Sequence, residues 1–195
     1  MEPVAGIILA AGSSARMGQP KQFLLLQGKP MLQHVIDAAE QSKLSPLIVV
    51  TGAHGAHIAE ALHLERSVVA HNPDHASGNM SSLAVGVDAA PEAAAYVVIM
   101  GDQPTVDPLV IEQMVRLWDH RQPWASITEY EDRIGHPFLL SRDAVATATT
   151  SLVPKRLWGL LTTEESDRVV RLVAPGRAPI DVNTPEDYER LIAES

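Results

Sequence analysis

Leu9-Ala10-Ala11-Gly12-Ser13-Ser14-Ala15-Arg16-Met17-Gly18-Gln19-Pro20-Lys21 comes directly after an apolar run that opens at Val4. The run reads as a buried strand, Val4–Ala10, because it is short, continuous and ends at glycine. The loop after it is small, flexible and cationic, and Pro20 closes it. Gly12 lets backbone approach a ligand with no Cβ in the way. Ser13, Ser14 and successive backbone N–H groups can form an anion-binding nest. Arg16 presents a planar fork to phosphate oxygens and Lys21 a mobile point charge. A strand leading into N–H donors and two cations predicts a polyphosphate cradle.

Two common phosphate loops do not fit. The P-loop needs G-x-x-x-x-G-K-[ST], whereas Gly12 and Gly18 enclose five residues and Gln19 comes next. The dinucleotide fingerprint needs G-x-G-x-x-G, and position 14 is Ser. A strand-to-helix turn with incidental charges is the plain alternative, and Arg16, Gly18, Pro20 and Lys21 together weigh against it.

The chain has 195 residues, 46% hydrophobic and 20% charged, which suits one domain over 1–195 with a sizeable core. Its net charge of −9 argues against non-specific binding to nucleic acid or membrane. A polyanionic substrate must then meet local cations, which singles out Arg16 and Lys21. There is no cysteine, so disulfides and thiolate metal sites are excluded, in keeping with a reducing, cytoplasmic compartment. No signal peptide or membrane-length apolar run is visible.

Strand-like and helix-like segments alternate. Strands are expected at Val4–Ala10, Leu47–Thr51, Ser67–Ala70, Ala95–Met100, Trp124–Tyr130, Pro137–Ser141, Val169–Val173 and Pro179–Val182. Helices are expected at Pro30–Lys43, Gly55–Leu62, Ser77–Ala90, Pro108–His120, Arg142–Thr149, Pro154–Thr163 and Thr184–Ala193. Repeated strand–helix units predict an α/β fold with a mostly parallel sheet and helices on both faces. Ligands of such sheets sit at the carboxyl ends of the strands. The candidate stretches there are Thr51-Gly52, His71-Asn72-Pro73, Gly101-Asp102-Gln103-Pro104 and Asp181-Val182-Asn183.

Asp102 comes after the most apolar strand, where an acid needs a cation or donors nearby. Magnesium takes few protein carboxylates and completes its shell with water and phosphates. Asp102 is therefore the first metal candidate and Asp181 the second, with the amide oxygen of Asn183 as a substitute. A turn or helix cap is the structural alternative for each. Gly78, Ser81 and Ser82 sit at a helix start, where free N–H groups and hydroxyls can read a base or ribose. The remaining histidines form no H-E-x-x-H or other tight metal pattern.

A-A-G-x-S-x-R-M-G-x-x-K resembles the opening loop of the MobA-like nucleotidyltransferases, and on the same residues the loop is similar to that of sugar-phosphate and methylerythritol-phosphate nucleotidyltransferases. G-D-Q-P at Gly101–Pro104, the stretch Asn72–Ser82, and I-D-V-N-T-P-E-D-Y at Ile180–Tyr188 extend the resemblance over nearly the whole chain. It implies a three-layer α/β/α Rossmann-like fold. It also implies transfer of a nucleotide from an NTP to a phosphate acceptor, with magnesium on Asp102 and Asp181. Arg16 and Lys21 would act on the phosphates, with Asp102 as the third catalytic residue. Leu9, Ala10, Ala11 and Gly12 would pass beneath the nucleotide. Ser13, Ser14, Thr51, Asn72, Gly78, Ser81 and Ser82 would complete its binding.

Gly135-His136-Pro137 resembles a segment of the molybdenum cofactor cytidylyltransferases that meets the second substrate, which places His136 and Asn183 on the acceptor side. The resemblance implies CTP and molybdopterin as substrates, and a recipient molybdoenzyme or its chaperone as a further partner. Guanine-using relatives tend to carry L-A-G-G, and the methyl of Ala11 favours a smaller pyrimidine; uridylyl-using relatives also have A-A-G. Other readings stay open on these residues: a different base or acceptor, a NAD(P)H-dependent oxidoreductase on the same fold, or a non-catalytic nucleotide sensor.

Overall fold

The computed structural model describes residues 2–150 and 157–194. Seven strands form one sheet in the order β5-β4-β1-β6-β8-β7-β9. They are β1 (Val4–Ala10), β4 (Leu47–Thr51), β5 (Ser67–His71), β6 (Ala95–Met100), β7 (Ala125–Glu129), β8 (Ile134–Ser141) and β9 (Val169–Val173). A two-stranded ribbon, β2 (Leu25–Leu26) and β3 (Lys29–Pro30), comes after the glycine-rich loop. β5, β4, β1 and β6 run parallel, and β7 and β9 are parallel to each other. β8 is antiparallel to both of its neighbours.

Alternation along the strands assigns the two faces. Ile8, Val49, Val97 and Ile99 point to one side and meet α1 (Met31–Glu40), α2 (Gly55–Ala61) and α4 (Pro108–Arg121) through Leu32, Val35, Ile58, Ile111 and Met114. Ile7, Leu9, Ile48, Val50 and Val98 point to the other and meet Leu83 of α3 (Asn79–Asp88) and Val145 of α5 (Arg142–Thr150). The result is a three-layer α/β/α Rossmann-like fold with a largely parallel sheet. α3 lies close on β1 at Gly86, where a Cβ would stand 2.5 Å from Ile7.

The β1, β4 and β6 boundaries match the sequence reading, because continuous apolar runs between turn residues leave little freedom. α4 starts as expected: Asp107 accepts from the Leu109 N–H at 2.8 Å, and Pro108 takes the first helical position. α3 begins at Asn79 rather than Ser77, because Gly78 has φ +102 and breaks the helix before it. The helix expected over 154–163 is in part outside the described residues. Beyond them α6 (Leu157–Gly159) passes into a wider helical turn, Leu160–Glu164.

One expected strand is absent. Pro179–Val182 forms no strand, so Asp181 does not lie at a strand end. Pro179 has no N–H to give to a ladder. The turn between β7 and β8 takes up the neighbouring groups: Ala178 N–H donates to Asp132 Oδ1 at 2.8 Å, and Arg133 donates to Pro179 O at 2.5 Å. Val182 N–H reaches Asp102 O at 3.0 Å, which fastens the segment beside the end of β6. α7 (Pro185–Glu194) comes next with a reciprocal cap: Asp187 donates its N–H to Thr184 Oγ1, and its carboxylate accepts from the Thr184 N–H. No helix among the described residues is long and apolar enough to cross a membrane.

Candidate active site

β4 and β6 flank β1 on opposite sides, so the chain reverses its direction of winding there. This is where open α/β sheets bind ligands. Gly101 N–H donates to Leu9 O at 2.9 Å, so the two strand ends leave the sheet together. Above them lies a cavity of about 340 Å³. It is lined by the backbone of Leu9 to Gly12 on one side and by Met100, Gly101 and Asp102 on the other.

The glycine-rich loop turns back through Ser14 at φ +56 and Gly18 at φ +70. Its shape is set by Gln22, a residue that sequence reasoning missed. Gln22 is 3% exposed, and its amide donates to Ala10 O at 3.1 Å and Gly12 O at 3.0 Å. Its Oε1 accepts from the Ser14 hydroxyl, and that hydroxyl accepts from the Lys21 N–H at 3.1 Å. Ser14 thus faces its own loop, and Ser13 is exposed. Nothing in the periodicity marks Gln22. Its position one residue beyond Lys21 is the only signal it offers.

Lys21 and Asp102, 81 positions apart, meet at 2.6 Å, each side chain 12% exposed. The ammonium also donates to Val182 O and Asn183 Oδ1, both at 3.0 Å. Its three protons are therefore all used. Asp102 Oδ1 is buried with no hydrogen-bond partner among the described residues. Burial pushes the Asp102 carboxyl above its ordinary value, and the Lys21 ammonium opposes that rise. A buried carboxylate oxygen left open at the cradle fits a hard cation that takes few protein ligands. Asp181 differs: Gln103 holds one of its oxygens at 2.7 Å and Arg133 the other at 3.0 Å. Sequence reasoning named Gln103 only as part of the Gly101–Pro104 stretch, and did not name Arg133. Among the described residues no three His, Cys, Asp or Glu side chains gather as a metal cluster.

The other expected residues divide. Arg16 lines the cradle and belongs to no ion pair among the described residues. Ser82 lines it too, beside His75 and Asn79, which sequence reading did not select. Thr51 is fully buried, and its hydroxyl donates to Ala70 O at 3.4 Å, so it does not face the cavity. Asn72 is 1% exposed, and its amide donates to the hydroxyls of Ser81 and Ser82 while accepting from the Asp74 N–H. Asn72 and Ser81 thus build the turn before α3 and stand behind the cavity wall. Gly78 and His136 face a neighbouring cavity instead. His136 stacks on Phe138 at 4.0 Å, and burial pulls its pKa down to about 4, so the ring is neutral. Asn183 lies in the cradle as a partner of Lys21.

The cavity thus lies at the β1/β6 switch point of the sheet, with a buried acid beside it. Residues 6–169 match the MobA-like NTP transferase domain, and the chain belongs to that family. It is 29% identical over 194 residues to the molybdenum cofactor cytidylyltransferase of Escherichia coli, covering 96% of this chain and 95% of that one. It is 33% identical over 115 residues to the bifunctional protein GlmU of Desulfitobacterium hafniense, but spans only 25% of GlmU's length. The crystal structure of Rv0371c from Mycobacterium tuberculosis superposes with a TM-score of 0.85 at 29% identity, covering both chains in full. A structure of Rv0371c complexed with manganese gives a TM-score of 0.81 at 28% identity, covering 99% of this chain and 100% of the other.

Proposed function

We propose that this nucleotidyltransferase transfers CMP from CTP to the phosphate of molybdopterin and releases pyrophosphate. The observation that carries the reading is Asp102, a cavity-lining acid with one buried oxygen that has no hydrogen-bond partner among the described residues. The cytidylyltransferase relative over 96% of the chain supports the choice of reaction. The methyl of Ala11, which is 5% exposed on the cradle floor, supports a pyrimidine base.

In this reaction an oxygen of the acceptor phosphate forms a bond to the α-phosphorus, and the bond from that phosphorus to the pyrophosphate oxygen breaks. No protein nucleophile is needed; positioning and charge carry the catalysis. Magnesium would be held by Asp102, with Asp181 as second carboxylate once it exchanges Arg133, and would neutralise phosphate charge when bound. Manganese in the related Rv0371c supports the use of a divalent ion. Leu9, Ala10, Ala11 and Gly12 carry the nucleotide on their backbone, held in shape by Gln22. Arg16, in no ion pair among the described residues, takes up phosphate charge directly. Lys21 reaches a phosphate by giving up Val182 O or Asn183. Ser82 and the start of α3 lie where the base and ribose extend.

The test is pyrophosphate release from each of the four NTPs with magnesium, with and without molybdopterin. CTP alone is expected to support it, and only with the acceptor present. Asp102→Ala is expected to lower that rate by about 10²-fold or more, as for other lost electrostatic stabilisers. Release from GTP in preference to CTP, or a rate unchanged in Asp102→Ala, rejects the reading.

A further inference from the structure

Asp181 follows no strand, unlike Asp102, and two side chains hold it in place. The Gln103 amide donates to Oδ1 at 2.7 Å, and the Arg133 guanidinium donates to Oδ2 at 3.0 Å. The two partners differ in kind. Gln103 is neutral, 1% exposed, and fixed in the turn after β6: its N–H donates to Met100 O at 3.3 Å, and its carbonyl accepts from the Val106 N–H at 3.1 Å. Arg133 is charged and belongs to the turn between β7 and β8. In its pair with Asp181 the side chains are 42% and 38% exposed, against 12% each for Lys21 and Asp102. Partly solvated ion pairs of this kind are weak. Arg133 also has space to move into. Asp181 lines both the cradle and an adjoining cavity of about 420 Å³, which shares Arg16 and Asn183 with the cradle and has Arg133 in its wall. A second hydrogen bond, from Arg133 to Pro179 O at 2.5 Å, ties the guanidinium to the segment that walls this outer cavity.

We propose that Gln103 is the fixed positioning residue of Asp181 and Arg133 its exchangeable counter-cation, so that the two set the site's divalent-metal affinity in opposite directions. The inference rests on the reading of Asp181 as the second carboxylate for the metal. With Lys21 on Asp102 and Arg133 on Asp181, each acid of the cradle carries a protein cation. The more exposed pair is the one that yields. A guanidinium on a carboxylate competes with any other cation for the same charge. A neutral amide does not compete: it orients the carboxylate and leaves its charge available, as outer partners of metal ligands do. Asp181 therefore joins the metal site as Arg133 withdraws towards the outer cavity, and the Gln103 bond stays.

The probe is Mn²⁺ alone, titrated into the full chain without nucleotide or acceptor. Electron paramagnetic resonance reads the free ion and calorimetry the heat. Gln103→Met keeps the length and removes the donor, so Mn²⁺ affinity should fall about tenfold or more. Arg133→Met removes the competing charge and should raise affinity about three- to fivefold. Arg133→Lys keeps a cation and should bring affinity back towards wild type. In an Asp181→Asn background both effects should vanish, whereas a role confined to folding would persist there. Far-UV circular dichroism and thermal unfolding check each fold. Should Gln103→Met lose its fold, Arg133→Met in the two backgrounds carries the test, since its side chain is partly exposed.

Unchanged or weaker Mn²⁺ binding in Arg133→Met, unchanged binding in folded Gln103→Met, or effects that survive in Asp181→Asn would each overturn the assignment. So would the absence of saturable binding in wild type and Arg133→Met alike. If Mn²⁺ responds as expected and CTP is not used, the roles of Gln103 and Arg133 stand and the proposed reaction fails. If CTP is used and neither residue moves Mn²⁺ affinity, these roles are wrong and the reaction stands.

Discussion

Replacing Lys21 by Met keeps the side chain's length and removes its charge. The ammonium holds Asp102 Oδ2 at 2.6 Å and Val182 O and Asn183 Oδ1 at 3.0 Å. Among the described residues Asp102 Oδ1 already lacks a partner, so the variant leaves a buried carboxylate without its cation. Breaking a buried ion pair from one side costs about 3–5 kcal/mol. The residual 12% exposure of each side chain points to the lower end, about 3 kcal/mol at neutral pH. The cost must depend on pH. Burial raises the Asp102 pKa and Lys21 lowers it, so deleting Lys21 lifts the folded value further above the unfolded 3.8. A carboxyl raised by folding gives stability that is fully present below its unfolded pKa and lost as pH rises through its folded pKa. The variant should therefore be close to wild type near pH 4 and fall behind as the pH approaches neutral. Pairing Lys21→Met with Asp102→Leu removes the stranded charge and should recover most of the loss, leaving a coupling of roughly 2 kcal/mol or more. Urea unfolding of the four proteins of the cycle, at pH 4, 5.5 and 8, measures this. Additive losses, or a Lys21→Met cost below about 0.5 kcal/mol at pH 8, would refute the reasoning.

Three further outcomes are expected. Gly52→Ala places a Cβ 2.4 Å from Ala11 O and 2.7 Å from the His75 ring, so it must push the cradle floor or the β5–α3 turn. Nucleotide kcat/KM should fall at least about tenfold with a stability loss of about 1–3 kcal/mol, and wild-type kinetics would show that the loop gives way freely. Gln22→Leu strands Ala10 O and Gly12 O and frees the Ser14 hydroxyl, so CTP affinity measured by calorimetry should drop by roughly one order of magnitude or more; unchanged affinity would show that Gln22 does not shape the loop. His136 has a folded pKa of about 4 against an ordinary 6.5, so the unfolded chain takes up its proton first. Stability should then decline as pH falls between those values, by up to about 3 kcal/mol. His136→Leu should flatten that decline in thermal unfolding, and an identical slope would remove His136 as its source.

The cradle was legible because its signals are local. A continuous apolar strand, a glycine, two cations and a proline lie within eighteen residues, Val4 to Lys21, and their spacing alone separates them from the other phosphate loops. Asp102 was legible for the same reason, as an acid directly after the chain's most apolar strand. The features that escaped depend on partners remote in sequence. Arg133 reaches Asp181 across 48 positions, and Gln103 reaches it across 78. No periodicity announces such contacts. Pro179–Val182 looked like a strand by composition, but its neighbouring backbone groups go to Asp132, Arg133 and Asp102. Asn72 and Ser81 read as ligands from their place at a strand end and a helix start. In the fold their polar groups satisfy one another first.

β8 runs against the sheet, so its first residues arrive at the same rim as the last residues of β1 and β6. Val98 pairs with Phe138, and Ala95 with Ser141 at the far end. A parallel strand would have brought Leu140 and Ser141 to that rim and left His136 at the opposite edge. The reversal means that the two halves of the rim belong to separate parts of the chain. The phosphate half is built from segments that precede β7, together with the short stretch before α7. The aromatic half takes its face from a hairpin and the helical turn at Trp158. Substitutions in that hairpin therefore change one half of the rim without touching the residues that build the other. A library confined to His136, Phe138 and Trp158 would vary the aromatic half of the rim on a constant charged half.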